Sequence, residues 1–443
     1  VVGTISVPLL IRYLGLEQYG IWALLTASIN LVMLSEAGLS VSTTVFVSQD
    51  RARNDKSAVA QTLAITLSVM FILATIALST MWFGAEALLN LFPKLSLEQS
   101  ATAIQALRIG GFVVFLRMLQ LVLIGFQQAH EKYLLVNIIQ SSQTLMLYTG
   151  LVLIARSGGD ATPMMFWYVA SSFSVLIALA VATWLLLKGT QARIILDLGK
   201  VKAIVQFAFM SGVTSLGGRL FTQGDRLIVG AVLGPELLGA YAGITAITQK
   251  INALSGTVVQ PLLPGLSSTW ATRDRNYGKI RVQVLEALEL CAVVALGLGG
   301  VLMVMSPFII RTAISGQDIA LYSTSFQMAT IIYSLYSLNA VGYYILFATD
   351  SVNKNLFVVL GSGVLSLLLI GAGGESLGLI GAVLGNTGYL ATLILVVLGM
   401  SQAGVSPRVW IGSLAWPLVA FVAVALGALF LENLLGQLVL LAS

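Results

Sequence analysis

Twelve apolar runs of twenty or more residues, and an eleven-residue run before them, follow one another along this chain with only short polar connectors between. A helix that crosses a bilayer needs about 20 such residues at 1.5 Å each. The runs are 1–11, 20–48, 57–83, 101–128, 134–155 and 163–188. A second set reads 202–231, 238–268, 279–306, 319–347, 355–374 and 377–400, and a further run covers 408–431. Several exceed the bilayer thickness and predict tilt or protrusion. Hydrophobic residues make up 58% of the chain and charged residues 9%, against roughly 25% charged in a soluble protein. Such a chain has too little polar surface to cover its apolar one in water. The fold class expected is an all-α polytopic membrane protein.

One phrase occurs twice. Leu14-Gly15-Leu16-Glu17-Gln18-Tyr19-Gly20 leads into Ile21-Trp22-Ala23-Leu24-Leu25-Thr26-Ala27. Leu233-Gly234-Pro235-Glu236-Leu237-Leu238-Gly239 leads into Ala240-Tyr241-Ala242-Gly243-Ile244-Thr245-Ala246, at a constant offset of 219. A repeated apolar unit predicts two lobes of common plan. An even number of spans per lobe points both lobes the same way, so the expected relation is a pseudo-two-fold along the membrane normal. The expected domains are a six-helix lobe at 1–188, a basic connector at 189–201, a second six-helix lobe at 202–400, and an added membrane segment at 401–443. Residue 1 corresponds to Leu220 under the offset, inside its own run, so the first helix reads as truncated. Residues 434–441 are too short to span and read as the start of a fourteenth helix. Gly84–Glu98 and Pro307–Asp318 are matching segments of mixed character in which short interfacial helices are expected.

Orientation follows the distribution of Lys and Arg. One set of connectors holds Arg51, Arg53, Lys56, Lys132, Lys188, Arg193, Lys200, Lys202, Arg273, Arg275, Lys279, Arg281, Lys354 and Arg408, which is 14 residues; the other holds Arg12, Lys94, Arg156 and Arg311, which is 4. The first set is expected on the cytoplasmic side, with the N-terminus. The lone cysteine, Cys291, excludes an internal disulfide, and the lone histidine, His130, excludes a multi-His metal site. A net charge of +5, scattered over short loops, is no nucleic-acid signal.

An ionisable residue at mid-membrane is costly unless it faces protein or water, so each is a functional candidate. Lys250 lies 12 residues into its run, about 18 Å deep at 1.5 Å per residue. Arg219, Arg117 and Glu36 lie 17, 16 and 16 residues into theirs. Ser211, Ser215, Arg219, Thr222 and Arg226 share one helix face, with Gln223 at its edge. That stripe is either the wall of a wet cavity or a seam joined by small polar residues. Arg117, Gln120 and Gln127 fall within one sector, and Arg108 points to the other side as an outer anchor. Thr245, Gln249, Asn252 and Gly256 define a face from which Lys250 stands off; it reaches the cavity along its stem or pairs with an acid. Glu36 pairs with a cation, binds a coupling proton, or stabilises its lobe. Asp225 and Arg226 lie toward the outer end of their helix, where an interfacial pair is the plain reading. Glu286 and Glu289 read as a solvated face. Pro261 and Pro264 favour a bend, as a gate or as an ordinary feature of membrane helices.

The segments SVPLLIRYLGLEQYGIWALLTA at 6–27, SEAGLS at 35–40 and GDRLIVGAVLGPELLGAYAGITA at 224–246 resemble lipid-linked oligosaccharide flippases. These are the Wzx-type, O-antigen and polysaccharide transporters of the multidrug/oligosaccharidyl-lipid/polysaccharide (MOP) exporter superfamily. Glu36 stands where that family more often has Asp, and Asp225-Arg226 matches the Asp-Arg of its second-lobe motif. The resemblance implies transport of an undecaprenyl-pyrophosphate oligosaccharide across a bacterial or archaeal cytoplasmic membrane, with alternating access around a cationic cavity. It implies no enzyme activity and no cofactor, leaves H⁺ and Na⁺ open as coupling ions, and names a polymerase and glycosyltransferases as partners. Arginine suits such a head group because its planar fork matches phosphate oxygens. Substrate contact is therefore expected of Arg117, Arg219, Lys250, Arg226 and Gln223, and coupling or ion pairing of Glu36 and Asp225. A multidrug cation antiporter of the same superfamily is the alternative, but it wants clustered carboxylates. A membrane glycosyltransferase or polymerase is disfavoured because no loop is long enough for a catalytic domain with paired carboxylates.

Overall fold

In the computed structural model, three helices of the first half start where short polar side chains take up their first N–H groups. Asp55 caps α3 (Lys56–Leu89), accepting from the Ala58 N–H at 2.8 Å. Ser96 and Gln99 form a reciprocal capping box on α4 (Leu97–Ala129). Asp160 caps α6 (Ala161–Leu187) through the Thr162 N–H at 2.9 Å. The structure describes residues 2–36, 38–188, 198–260, 266, 277–313, 319–349 and 351–442; the side chains at 2, 4, 198, 210–222, 277, 279, 352 and 431–442 are not described.

The described chain is helical throughout, with no strand. Before α3 come α1 (Val2–Val32), a 3-10 turn at Met33–Glu36 and α2 (Leu39–Ala52). After α4 come α5 (Tyr133–Arg156), α6, α7 (Leu198–Leu233), α8 (Pro235–Val259), α9 (Tyr277–Ala313) and α10 (Ile319–Ser337). Then follow α11 (Asn339–Ala348), α12 (Val352–Gly385), a 3-10 stretch at Asn386–Leu393, α13 (Ile394–Gln402) and α14 (Pro407–Ala442). Nine segments of the described residues are long and apolar enough to cross a membrane. Two of them, Ile5–Ala52 with 48 residues and Asn353–Gln402 with 50, are each long enough for two passages. The joints are glycines: α1 turns at Gly15 (φ 80°) and α12 at Gly378 (φ 62°), conformations that a Cβ would strain. The polytopic all-helical reading therefore stands.

Four expectations need correction. The run 20–48 is not one helix: it is interrupted by the 3-10 turn Met33–Glu36, where Ser35 bonds back to the Val32 carbonyl at 2.7 Å, and by Gly38, which takes φ 73° and ψ 17°. The apolar pattern continues across the break and hides it. The run 319–347 divides at Leu338 into α10 and α11. No separate interfacial helix forms at Gly84–Glu98 or in the described part of Pro307–Asp318, because α3 runs on to Leu89 and α9 carries Pro307 within it to Ala313. Residues 434–441 continue α14 and do not start another helix.

The residues group into two compact units, Val1–Gly239 and Ala240–Ser443. In the first, α4 packs between α3 and α6, α5 packs on α1 and α6, and α7 runs along α1 and α2. The lobe boundary expected at 189–201 follows the repeat, whereas this grouping follows packing, and α7 packs with the first unit. In the second unit α9 packs on α10 and α14, and α11 on α13, around a core that includes Leu288, Cys291, Val341 and Met400. Large apolar side chains such as Phe71, Ile76, Phe83, Leu145, Phe166 and Phe173 are exposed on the first unit, as lipid solvation requires.

The repeated phrase has one structure in both copies at the residues that can be compared. Gly15 and Gly234 both take left-handed φ, 80° and 89°, and each opens a helix. The two copies also meet within the first unit. A Cβ on Gly20 would overlap the Pro235 carbonyl and lie 2.9 Å from the Gly239 nitrogen. A Cβ on Gly239 would overlap the Leu16 carbonyl and lie 3.0 Å from the Gly20 nitrogen. Leu16 and Pro235 are themselves equivalent under the offset, so the contact is reciprocal, as a local two-fold requires.

Candidate functional site

The first unit gathers two arginines among aromatic side chains. Arg117 sits mid-way along α4 and is half-buried. Its Nη1 donates to the Tyr168 hydroxyl of α6 at 2.5 Å, and its guanidinium carbon lies 5.9 Å from that ring's centroid. Tyr168 is buried and lies 6.3 Å, ring to ring, from Trp22 of α1. Arg226 of α7 lies within electrostatic reach of Tyr19 on α1 and Tyr148 on α5, and Arg117 reaches Tyr148 as well. Five helices thus contribute to one cationic, tyrosine-rich group.

The countercharge is what sets this group apart. Among the described residues the ion pairs are Arg108–Glu86 at 2.8 Å and Lys200–Asp50 at 2.9 Å. Arg117 and Arg226 belong to neither. The Arg226 Nε is buried and has no hydrogen-bond partner among the described residues. A half-buried guanidinium without a carboxylate is an attractor for an anion, since attraction grows as the surroundings become less polar. Phenol hydroxyls add donors that do not cancel its charge.

The other sequence candidates fall in different places. Gln223 of α7 accepts from the Asn30 amide of α1 at 3.5 Å, tying the two helices together. Gln120 and Gln127 are buried and face α6: Gln120 donates to the Ser172 carbonyl at 2.6 Å and Gln127 to the Thr183 hydroxyl at 3.1 Å. They join helices and do not extend the Arg117 surface. Arg108 is exposed and paired with Glu86. Glu36 is buried at the break between α1 and α2. Asp225 is buried and accepts the Arg226 backbone N–H at 2.7 Å; the two side chains form no ion pair among those described. Lys250 of α8 is exposed, as are Glu286 and Glu289 of α9. The side chains of Ser211, Ser215, Arg219 and Thr222 lie outside the described residues, and so do Pro261 and Pro264.

Sequence reading missed the tyrosines, which a search restricted to charges passes over. The repeat held the signal. Its aromatic position is Trp22 in one copy and Tyr241 in the other, and each touches the last helical passage of its own lobe. Trp22 meets Tyr168. Tyr241 bonds Asn386, which lies one residue from the position matching Tyr168. In the second unit Asn386 also accepts from Tyr333 at 2.9 Å, and Gln249 donates to Tyr333 at 3.1 Å, making a buried, uncharged network. Among the described residues no three of His, Cys, Asp and Glu cluster in a way that suits a metal. His130 closes α4, with Nδ1 2.9 Å from the Phe126 carbonyl. Burial lowers its pKa below the usual 6.5; the Phe126 bond opposes this, and the charges of Arg51 and Lys132 reinforce it.

The model of one protein family, described as polysaccharide biosynthesis protein, matches residues 1–270. That is more than half of the chain. The chain belongs to the polysaccharide biosynthesis protein family. No curated protein sequence matches it. Solved structures with the fold of this family member include the lipid II flippase MurJ in an inward closed conformation, at TM-score 0.76 and 14% identity, covering 98% of this chain and 90% of that one. A multidrug resistance MATE family transporter of the MOP superfamily, inward-facing, gives TM-score 0.75 at 16% identity, with 91% and 95% covered. A MOP superfamily transporter from Pyrococcus furiosus, whose binding pocket is described as reversed in polarity, gives 0.53 at 16% identity, with 91% and 95% covered. At these identities the likeness is one of fold.

Proposed function

We propose that this member of the polysaccharide biosynthesis protein family is a flippase. It moves an undecaprenyl-pyrophosphate oligosaccharide across the cytoplasmic membrane, N-terminus inside, by alternating access, and delivers it to a polymerase from glycosyltransferases on the other side. The observation that carries this reading is the pair Arg117 and Arg226, set among Tyr19, Tyr148 and Tyr168 with no ion pair among the described residues. A pyrophosphate is repelled by hydrocarbon and needs fixed positive partners on its path. Tyrosine faces and hydroxyls suit the sugars that follow it. Arg219, Lys250 and Gln223 are proposed as further substrate contacts; the Arg219 side chain lies outside the described residues, and Lys250 is an exposed side chain of the second unit. Glu36 and Asp225, both buried, are the acids proposed for H⁺ or Na⁺ coupling. The fold is one that a lipid II flippase has, and a multidrug MATE transporter has it too, so the choice of substrate class rests on the arginines.

The test is surface glycan in a strain lacking its own flippase, normalised to protein in the membrane. Arg117→Ala and Arg226→Ala are each expected to cut export by at least tenfold, since a charge-assisted hydrogen bond contributes roughly 1.5–3 kcal/mol and tenfold is about 1.4 kcal/mol. Arg117→Lys recovers export only in part, because an ammonium lacks the planar fork. Full export by both alanine variants at normal abundance overturns the cationic path.

A further inference from the structure

A second cationic feature lies well away from the tyrosines, at the connector end of the first unit. A cavity of about 300 Å³ opens between the α2–α3 turn, the α4–α5 turn and the end of α6. Its polar wall is Arg51, Asn54, Asp55, Lys56, His130 and Lys188, over three apolar side chains. Three cations face one carboxylate, and that carboxylate already caps α3. Arg51 is anchored by a hydrogen bond from Nη1 to the Ala129 carbonyl, which fixes its position beside His130. Lys188 Nζ lies 5.6 Å from the centre of the Trp184 ring. α3 begins at Lys56, which sets the positive end of its dipole at the rim.

Two further facts bear on this place. Asn54 (φ 56°) and Glu131 (φ 60°) are the described non-glycine residues with left-handed backbone. They sit in the two turns that bound the cavity. Strain of this kind is kept where surrounding structure holds it and gathers at functional places. The Lys/Arg bias assigns this end to the cytoplasmic head-group level, and a tryptophan on the last turn of α6 is the residue expected there.

We propose that this cavity binds the phosphate of a membrane lipid at the cytoplasmic interface. A lipid phosphate brings its negative charge to the depth where Arg51, Lys56 and Lys188 converge, while its chains remain in the bilayer. Arginine supplies the fixed fork, and the lysines supply adaptable point charges. Two sources share this chemistry: a bulk anionic phospholipid, and a lipid-linked pyrophosphate. The proposal does not depend on the flippase reading.

The full chain, purified in a zwitterionic detergent, is titrated with phosphatidylglycerol and with phosphatidylcholine, and bound lipid is counted by native mass spectrometry. Wild type is expected to retain phosphatidylglycerol selectively. The double variant Lys56→Gln/Lys188→Gln is expected to lose about 30-fold in affinity for it, the effect of two cations at an anionic surface. Lys354→Gln/Arg408→Gln removes the same charge elsewhere on the cytoplasmic set and should leave binding unchanged. Lys56→Arg/Lys188→Arg should restore it. Undecaprenyl pyrophosphate that displaces phosphatidylglycerol identifies the lipid-linked source; failure to displace it identifies the bulk lipid. Equal binding by wild type and the Lys56→Gln/Lys188→Gln variant overturns the proposal, and so does an equal loss in Lys354→Gln/Arg408→Gln.

Discussion

Replacing Gly20 by alanine tests the close packing of the repeat. The added methyl group would overlap the Pro235 carbonyl, a backbone atom that cannot rotate away. Relief requires α1 to separate from the start of α8, and packing around the contact is lost with it. Overpacking costs roughly 1–3 kcal/mol, and contact with backbone places Gly20→Ala at the upper end, about 3 kcal/mol. At 2–4 °C per kcal/mol for a unit of this size, the melting temperature should fall by roughly 6–12 °C. Gly239→Ala should cost as much, because its methyl meets the Leu16 carbonyl in the equivalent way. The double variant should fall short of the sum by about 1–2 kcal/mol, since helices parted by one methyl already have room for the other. Gly84→Ala is the control: a Cβ there meets open space, and within α3 alanine is the better helix former. The assay is thermal unfolding of purified protein in detergent at one fixed scan rate. If Gly20→Ala and Gly239→Ala melt with wild type, the reciprocal contact is wrong.

Asp50→Asn is expected to destabilise the first unit by about 3 kcal/mol in the same assay, because the buried carboxylate accepts from Lys200 at 2.9 Å and from Thr62 at 2.5 Å. Asp50→Leu with Lys200→Met should recover much of that loss, and a double variant no better than Asp50→Asn would show that the pair is not the cause. His130 carries the pH dependence. Its folded pKa lies below 6.5, so the unfolded chain takes up the proton first, and its contribution is lost as pH falls below 6.5. Between pH 7.5 and 5.5 wild type should lose more thermal stability than His130→Gln, and equal losses would refute this.

The spans were legible in the sequence because solvation by lipid demands an apolar surface along the whole of each helix. Twenty-residue runs announce themselves without knowledge of neighbours. The caps Asp55, Ser96 with Gln99, and Asp160 act as locally, each bonding within three residues of itself, but the sequence reading did not single them out. The offset of 219 named Gly15 with Gly234, and Gly20 with Gly239, before either pair had a conformation. Other features depended on partners far along the chain. The break between α1 and α2 is apolar on both sides, so it is the 3-10 turn at Met33–Glu36 and Gly38's left-handed backbone that reveal it. Arg117 and Gln120 share a sector of α4, but α6 sorts them, presenting a phenol to one and a backbone carbonyl to the other. Arg226 looked like half of an ion pair with its neighbour Asp225, until packing brought Tyr19 and Tyr148 within its reach instead. Sequence fixes which charges must enter the membrane; the tertiary structure decides which of them keep a carboxylate, because that depends on what the facing helix carries at the same depth.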